Sequence, residues 1–387
     1  MQKKYFFSFI SRLAFFLSFL FMSCASQRSL ISPYKKYNLG SAREILSQLT
    51  LEEKIGQLFV ITPNQLDAAI REKNAGVKAT SLTERMIRSY KRYPVGGFIL
   101  FGWNIESPEQ TRSFISELKS LCPIPPILTL DEEGGRVTRL AKKESFYLPR
   151  FKSMNAIGDT GDKANAQVAG QIIGSYLLEF GFTLDLAPVA DVNTNPENIV
   201  IGDRAFGSDP KLVSDMAGAF LSGLHSAGVQ GCLKHFPGHG DTKDDTHTDY
   251  VAVTKTWEEL KSCELIPFVN NLEQADCILV AHVTLSKAAS DGYPASLSKE
   301  LITGRLRGEL GYKGIILTDA LDMGAITKNY GAAEAAVLAF EAGNDILLMP
   351  RNFPAAFDAL LAAVKSGRIS MERLEESVLR ILALKGY

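Results

Sequence analysis

Gly314-Ile315-Ile316-Leu317-Thr318-Asp319 is an unbroken apolar run that ends on a carboxylate. It does not alternate, and a continuous apolar run is what a strand buried on both faces requires. Seven further short apolar runs flank it: residues 57–62 (QLFVIT), 97–101 (GFILF), 127–131 (ILTLD), 183–187 (TLDLA), 230–235 (QGCLKH), 277–282 (CILVAH) and 345–349 (DILLM). Amphipathic stretches at 108–121, 162–180, 211–227, 256–270 and 332–342 lie between them, and Gly181, Gly228, Gly311 and Gly343 fall where helix stops are expected. Eight βα units in one chain predict a single (β/α)8 barrel of the TIM type, in the α/β class.

A doubly wound open sheet is the competing architecture, but no G-x-G-x-x-G fingerprint follows the first run. The positions of the polar residues favour the barrel. Asp131, Asp185, Lys234, His235, His282 and Asp319 all stand at or near the C-terminal ends of expected strands. In a barrel those ends converge on one mouth, so residues distant in sequence become neighbours there.

Composition sets the outer limits. The 387 residues carry 42 Lys and Arg against 43 Asp and Glu, a net charge of −1 that argues against a nucleic-acid partner. With 46% hydrophobic residues the chain is not a disordered one. Its start is unlike the rest: residues 1–23 hold Lys3, Lys4 and Arg12, no acid, and an apolar stretch from Leu13 to Met22. That pattern reads as a signal peptide, too short to span a bilayer as a lasting helix. The sequence Phe21-Met22-Ser23-Cys24 resembles a bacterial lipoprotein signal, which implies acylation of Cys24 and a membrane-tethered, exported protein. An ordinary signal with an incidental Cys, or an uncleaved anchor, are the alternatives. Residues 24–40 are polar and Ser-rich, as a flexible tether would be, leaving 41–387 for the barrel. Cys122, Cys232, Cys263 and Cys277 are too widely spaced for a disulfide framework and read as free thiols, and no C-x-x-C pair suggests zinc.

The least ordinary segment is Lys234-His235-Phe236-Pro237-Gly238-His239-Gly240-Asp241, continuing to Asp245-Thr246-His247. Three of the five His fall within its thirteen residues from 235 to 247, and Pro237 with Gly238 ends any regular strand. The loop alone admits three readings. It could be a polar surface loop, a metal site using His235, His239, Asp241, Asp245 and His247, or an acid/base device in which Asp245 orients His247.

KHFPGHG followed by D-x-H resembles the signature of family 3 of the glycoside hydrolases, and specifically its single-domain β-N-acetylhexosaminidases. Three more segments match in the same chain order. These are Asp131-Glu132-Glu133-Gly134-Gly135-Arg136-Val137, then Gly202-Asp203-Arg204-Ala205-Phe206, then Leu317-Thr318-Asp319-Ala320-Leu321-Asp322-Met323. The resemblance spans roughly Leu51 to Tyr387 and implies the same barrel fold. It implies that Asp319 is the nucleophile, His247 the general acid/base and Asp245 its partner. It further implies that Asp131, Arg139, Arg204, Lys234 and His235 hold the sugar. The family uses no metal and no cofactor, which weakens the ligand reading of the His loop.

Physical reasoning fits those roles. A retaining glycosidase needs one group to attack the anomeric carbon and another to protonate the leaving oxygen. An imidazole titrates near neutrality, so it can serve as acid in one step and base in the next, with Asp245 stabilising its charged form. Lys234 and the Arg residues are expected to favour the ionised form of Asp319. Glu133 is expected to be structural and His282 to act from behind the site. Met323 is expected to pack. Larger members of the family add a second domain that contributes their acid/base. This chain runs only to Tyr387, so the acid is expected from the D-T-H loop. The expected activity is therefore exo-release of terminal β-linked N-acetylglucosamine, with retention, from muropeptide fragments or related glycosides. A β-glucosidase, a phosphorylase of the same family, a metal-dependent barrel hydrolase and a non-catalytic glycan-binding lipoprotein are the competing readings. None of these patterns encodes an oligomeric state.

Overall fold

Each of the eight apolar runs forms a strand in the computed structural model, which describes Tyr37 and residues 39–67, 78–242 and 251–387. In chain order the strands are β1 (Phe59–Ile61), β2 (Gly97–Ile99), β3 (Ile127–Leu130), β4 (Leu184–Asp185), β5 (Gln230–Phe236), β6 (Val251–Ala252), β7 (Cys277–Val280), β8 (Val283–Thr284), β9 (Ile315–Thr318) and β10 (Leu347–Leu348). All but β6 and β8 make one parallel sheet in the order β10-β1-β2-β3-β4-β5-β7-β9. A parallel bridge between Leu317 and Ile346 joins its two ends, supported by the Thr318 N–H donating to the Ile346 carbonyl at 3.1 Å. The sheet is a closed (β/α)8 barrel. β6 and β8 pair separately, and in parallel, beyond the C-terminal end of β7. Cys24, Asp245 and His247 lie outside the described residues, as do segment 1–23 and all of 24–40 except Tyr37, Leu39 and Gly40. Among the described residues no helix is long and apolar enough to cross a membrane.

The helices form where periodicity and capping agree. Ser107 accepts the Gln110 N–H at 3.2 Å, and Pro108 opens the first turn of Pro108–Leu121, where its missing N–H costs nothing. That helix buries Thr111, Phe114, Ile115, Leu118 and Leu121, an i, i+3, i+4, i+7 stripe turned to the barrel. Lys163–Phe180 is capped by Asp162 and stopped by Gly181 at φ 92°; Pro210–Ser226 is capped by Asp209. The stretch expected as one helix over 256–270 is instead two, Trp257–Lys261 and Ile266–Val269. Pro267 cannot donate an N–H and disfavours helical geometry before it, so the chain restarts with Pro267 in a new first turn.

At the N-terminal end of the strands, the fully buried Asp345 accepts the Ile316 N–H (3.1 Å), the Ser377 hydroxyl (2.6 Å) and a guanidinium N–H of Arg380 (3.0 Å), and it pairs with Arg307. One carboxylate thereby ties β9 and β10 to the helix Met371–Leu384. Nearby, Asp276 accepts both the Gly231 N–H (2.8 Å) and the His225 ring (2.7 Å). Cys122, Cys232 and Cys277 are buried free thiols and Cys263 is half-buried.

Candidate functional site

The C-terminal ends of the strands surround a cavity of about 440 Å³ whose wall includes Asp131, Glu133, Arg139, Arg204, Lys234, His235, His239 and Asp319. Lys234 and His235 are consecutive, and consecutive residues of a regular strand point to opposite faces. The β5–β7 register shifts between Leu233 and Phe236, where three steps on β5 match two on β7, and this bulge lets both side chains reach the cavity. Asp319 follows β9 directly. Its N–H donates to the Val280 carbonyl at 2.9 Å, and its Oδ1 accepts the Ala320 N–H at 2.8 Å.

The floor is a buried charge network. Lys234 Nζ contacts Asp131 Oδ1 at 2.9 Å and Glu133 Oε1 at 2.6 Å. Arg204 grips Glu133 with two parallel bonds of 2.8 and 2.7 Å, and Arg139 Nη2 donates to Asp131 Oδ2 at 2.8 Å. Burial would raise the pKa of both acids, but the opposing charges outweigh it. Arg204 and Lys234 hold Glu133 far below the ordinary carboxylate range, and Lys234 and Arg139 hold Asp131 below it. Burial alone would lower the pKa of Lys234; Asp131 and Glu133 instead raise it. Asp131, Glu133, Lys234 and Arg204 are therefore charged near neutrality, and with the Arg139 guanidinium the network sets three cations against two carboxylates, with Asp319 a third acid on the same wall.

His235 is set by a carboxylate behind it. Its Nδ1 lies 2.6 Å from Asp191 Oδ2; the carboxylate can only accept, so Nδ1 carries the proton and Nε2 faces Arg204 at 3.4 Å. Asp191 Oδ1 also accepts the His239 N–H at 2.7 Å, pinning both ends of the His235–His239 turn. Just after it, Gly240 passes so close to the Val192 carbonyl that a Cβ would lie 1.9 Å from its oxygen. Burial, and then the neighbouring His235, push the pKa of His239 down, so its ring is neutral. Behind Asp319, His282 donates from Nε2 to the Ala320 carbonyl (2.9 Å) while Nδ1 meets the Ser296 hydroxyl at 2.6 Å. It thus fixes the residue next to Asp319 without lining the cavity.

Two of the sequence motifs dock on each other at the rim. Gly134 and Gly135, at φ 85° and 61°, turn the chain after β3. Arg136 then donates to the carbonyls of Ile199, Val200 and Ile201 at 2.7–3.1 Å and pairs with Asp203 at 2.8 Å.

Asp131, Arg139, Arg204, Lys234, His235 and Asp319 all meet at one cavity. Glu133, expected to be structural, is the centre of the charge network, and it also lines the cavity. Two other readings change. Lys234, Arg139 and Arg204, expected to support Asp319, are committed to Asp131 and Glu133. Asp185 does not line the cavity: it is buried beneath, accepting the Glu132 N–H at 3.0 Å, and burial raises its pKa well above the ordinary value. Asp191 was not singled out in the sequence, although it follows β4 as a carboxylate soon after an apolar run, much as Asp131 and Asp319 follow theirs. Among the described residues no group of three or more His, Cys, Asp or Glu is arranged to hold a metal.

Residues 50–384 match the family model described as the glycosyl hydrolase family 3 N terminal domain. The chain is 31% identical over 365 residues to "Beta-hexosaminidase A" of Pseudoalteromonas piscicida, covering 87% of this chain and 61% of that one. It is 32% identical over 302 residues to "Beta-hexosaminidase" of Xanthomonas oryzae pv. oryzae, covering 77% and 89%. Among solved structures, a glycoside hydrolase family 3 β-N-acetylglucosaminidase from Paenibacillus sp. superposes with a TM-score of 0.80 at 38% identity, covering 87% of this chain and 62% of that one. The chain thus spans about three fifths of two of these relatives and most of the third. The fold, the cavity motifs and the matched length agree: this chain belongs to family 3 of the glycoside hydrolases.

Proposed function

We propose that the chain is a retaining, exo-acting β-N-acetylhexosaminidase that releases terminal β-linked N-acetylglucosamine by double displacement. The observation that carries this reading is the shared wall on which Asp319 meets Asp131, Arg139, Arg204, Lys234 and His235. The names of its relatives, β-hexosaminidase and β-N-acetylglucosaminidase, point to the sugar.

In the first step the Asp319 carboxylate attacks the anomeric carbon as the bond to the leaving oxygen breaks and that oxygen takes a proton. In the second, water displaces Asp319 and gives up a proton to the same acid/base. The Ala320 N–H on Oδ1 stabilises the carboxylate as it departs. Asp131, Lys234 and the arginines bind sugar hydroxyls as charged hydrogen-bond partners that need no reorganisation. His247 is the acid/base, with Asp245 as its partner. The residues flanking their segment support this assignment. Thr242 Oγ1 lies 2.7 Å from Nδ1 of His239, a cavity residue, and Val251 pairs with Val283 beside His282. The substrates are muropeptide fragments or related β-N-acetylglucosaminides outside the cytoplasm, reached by a protein exported and anchored through an acylated Cys24.

The test is to quench turnover of a 5-fluoro N-acetylglucosaminyl fluoride and map the adduct by peptide mass spectrometry. A sugar ester on Asp319 is expected; an adduct elsewhere, or none on an active enzyme, overturns the mechanism. Product analysis with added phosphate is expected to give free sugar, and a sugar 1-phosphate would replace hydrolysis with phosphorolysis. Fatty-acid labelling that persists in Cys24→Ala would refute the anchor.

A further inference from the structure

Resting on that reading, we infer that Trp103 is the platform for the sugar on the far side of the scissile bond, stacking its indole face on the apolar C–H face of that ring. The buried charges around Asp131, Lys234 and Asp319 serve the terminal residue. What a second ring meets is the exposed part of the same wall, and there Trp103 lines the cavity at 45% exposure. A large aromatic side chain left this open costs solvation, so an indole at the rim of a cavity is a binding surface in waiting.

Three features make it a platform and not a loose side chain. Phe101 stacks on Trp103 with centroids 4.4 Å apart and planes 3° apart, which covers one face and leaves the other for a ligand. The segment carrying both rings is locked: the Asn104 N–H donates to the Phe101 carbonyl at 2.8 Å, and Asn104 Oδ1 accepts the Phe101 N–H at 3.1 Å. Asn104 is itself fully buried and donates to Asn64 and to the Ala79 carbonyl, both at 2.9 Å. Finally, the Arg139 guanidinium lies 5.2 Å from the Phe101 centroid while it holds Asp131. One connected stack of side chains thus links the carboxylate that grips the terminal sugar to the ring that would receive the next. A planar hydrocarbon face selects a pyranose over a small alkyl leaving group. It does so through binding of the whole substrate, without touching the reacting atoms.

The experiment compares N,N′-diacetylchitobiose with methyl β-N-acetylglucosaminide. Trp103→Ala is expected to lower the ratio of kcat/KM for the disaccharide to that for the methyl glycoside by about tenfold, mainly through KM, and Trp103→Phe to restore most of it. An equal loss on both substrates, or no loss on either, overturns the platform. Binding gives a second readout, because the chain has two Trp and the other, Trp257, is buried and bonded to Glu309. In Asp319→Asn, diacetylchitobiose should change tryptophan emission saturably and N-acetylglucosamine much less; in Asp319→Asn/Trp103→Phe the difference should vanish. If the wild type cleaves neither glycoside, the hexosaminidase reading fails, while the emission titration still decides whether Trp103 meets the second ring. No emission change with either sugar overturns the platform.

Discussion

Both ends of the barrel bury acids among arginines and lysines, and both open onto a hollow. At the N-terminal end Asp345 is surrounded by Arg307, Arg373 and Arg380, which border a groove of about 840 Å³, larger than the cavity of about 440 Å³ at the mouth. Size therefore does not identify the site; the distribution of partners does. At the lower end the Arg373 side chain is used up on Ser377 and on the carbonyls of Phe340 and Asn344, Arg307 on Asp345 and two carbonyls, and Arg380 on Asp345. The network joins strands to helices. At the mouth, the three cations are paired with Asp131 and Glu133, and Asp319 enters no ion pair among the described residues, so it is available to a substrate. The same residue types serve cohesion at one end and chemistry at the other, as expected for a barrel whose C-terminal face carries function.

The largest expected effect breaks the comparison at the mouth. Asp319→Asn should lower kcat/KM on a β-N-acetylglucosaminide by on the order of 10⁴, the scale seen when one member of a catalytic constellation is removed. Its thermal midpoint should stay level or rise, since active-site charges are commonly retained at the expense of stability. A folded variant with near wild-type turnover would remove Asp319 from the chemistry.

The converse is Asp345→Asn. Removing one partner of a buried charge network costs about 3–5 kcal/mol, because the arginines left behind are desolvated without compensation. Urea unfolding should show a loss of that order, with kcat/KM of the folded enzyme changed only a few-fold at low temperature. A variant as stable as wild type but catalytically dead would mean that the lower network reports to the mouth.

These contrasts also explain what could be read before folding. The eight strands were legible because a parallel strand covered on both faces must be apolar along its length, and the run ending at Asp319 shows it plainly. Site residues standing at strand ends were legible for the same reason: a polar residue closing such a run has one mouth to face. The place of Glu133 in the cavity wall is not legible in the sequence, because it is set by Arg204, 71 positions away, and by Lys234, neither of which any local pattern attaches to it. Asp191 was missed because its partner His235 lies 44 residues on, across a bulge that no periodicity reveals. The division of 256–270 into two helices was marked by Pro267 but outweighed by the apolar period. Trp103 gave no signal until its stacking partner, the buried Asn104 and the cavity were placed together.

The smallest expected effect separates the two ends by pH. At the lower end the hydrogen bond that His225 donates to Asp276 raises the His225 pKa above its ordinary value of about 6.5, outweighing the burial that would lower it. A group whose pKa is higher folded than unfolded contributes stability that is complete below the unfolded value and fades as pH rises through the folded one. At the mouth the order is reversed for Asp131, Glu133 and Asp191. Their lowered pKa values mean a contribution that is complete above the ordinary carboxylate range and is lost only in acid. Above pH 6.5, then, His225 titrates while the mouth acids stay constant. His225→Gln should destabilise the protein by less than about 1 kcal/mol, since the pair is partly solvated. Urea melts from pH 5.5 to 8.5 should show the gap between wild type and variant full at the acid end and closing toward the alkaline end. A gap that widens with pH would reverse the sign and show that the His225–Asp276 contact favours the neutral imidazole.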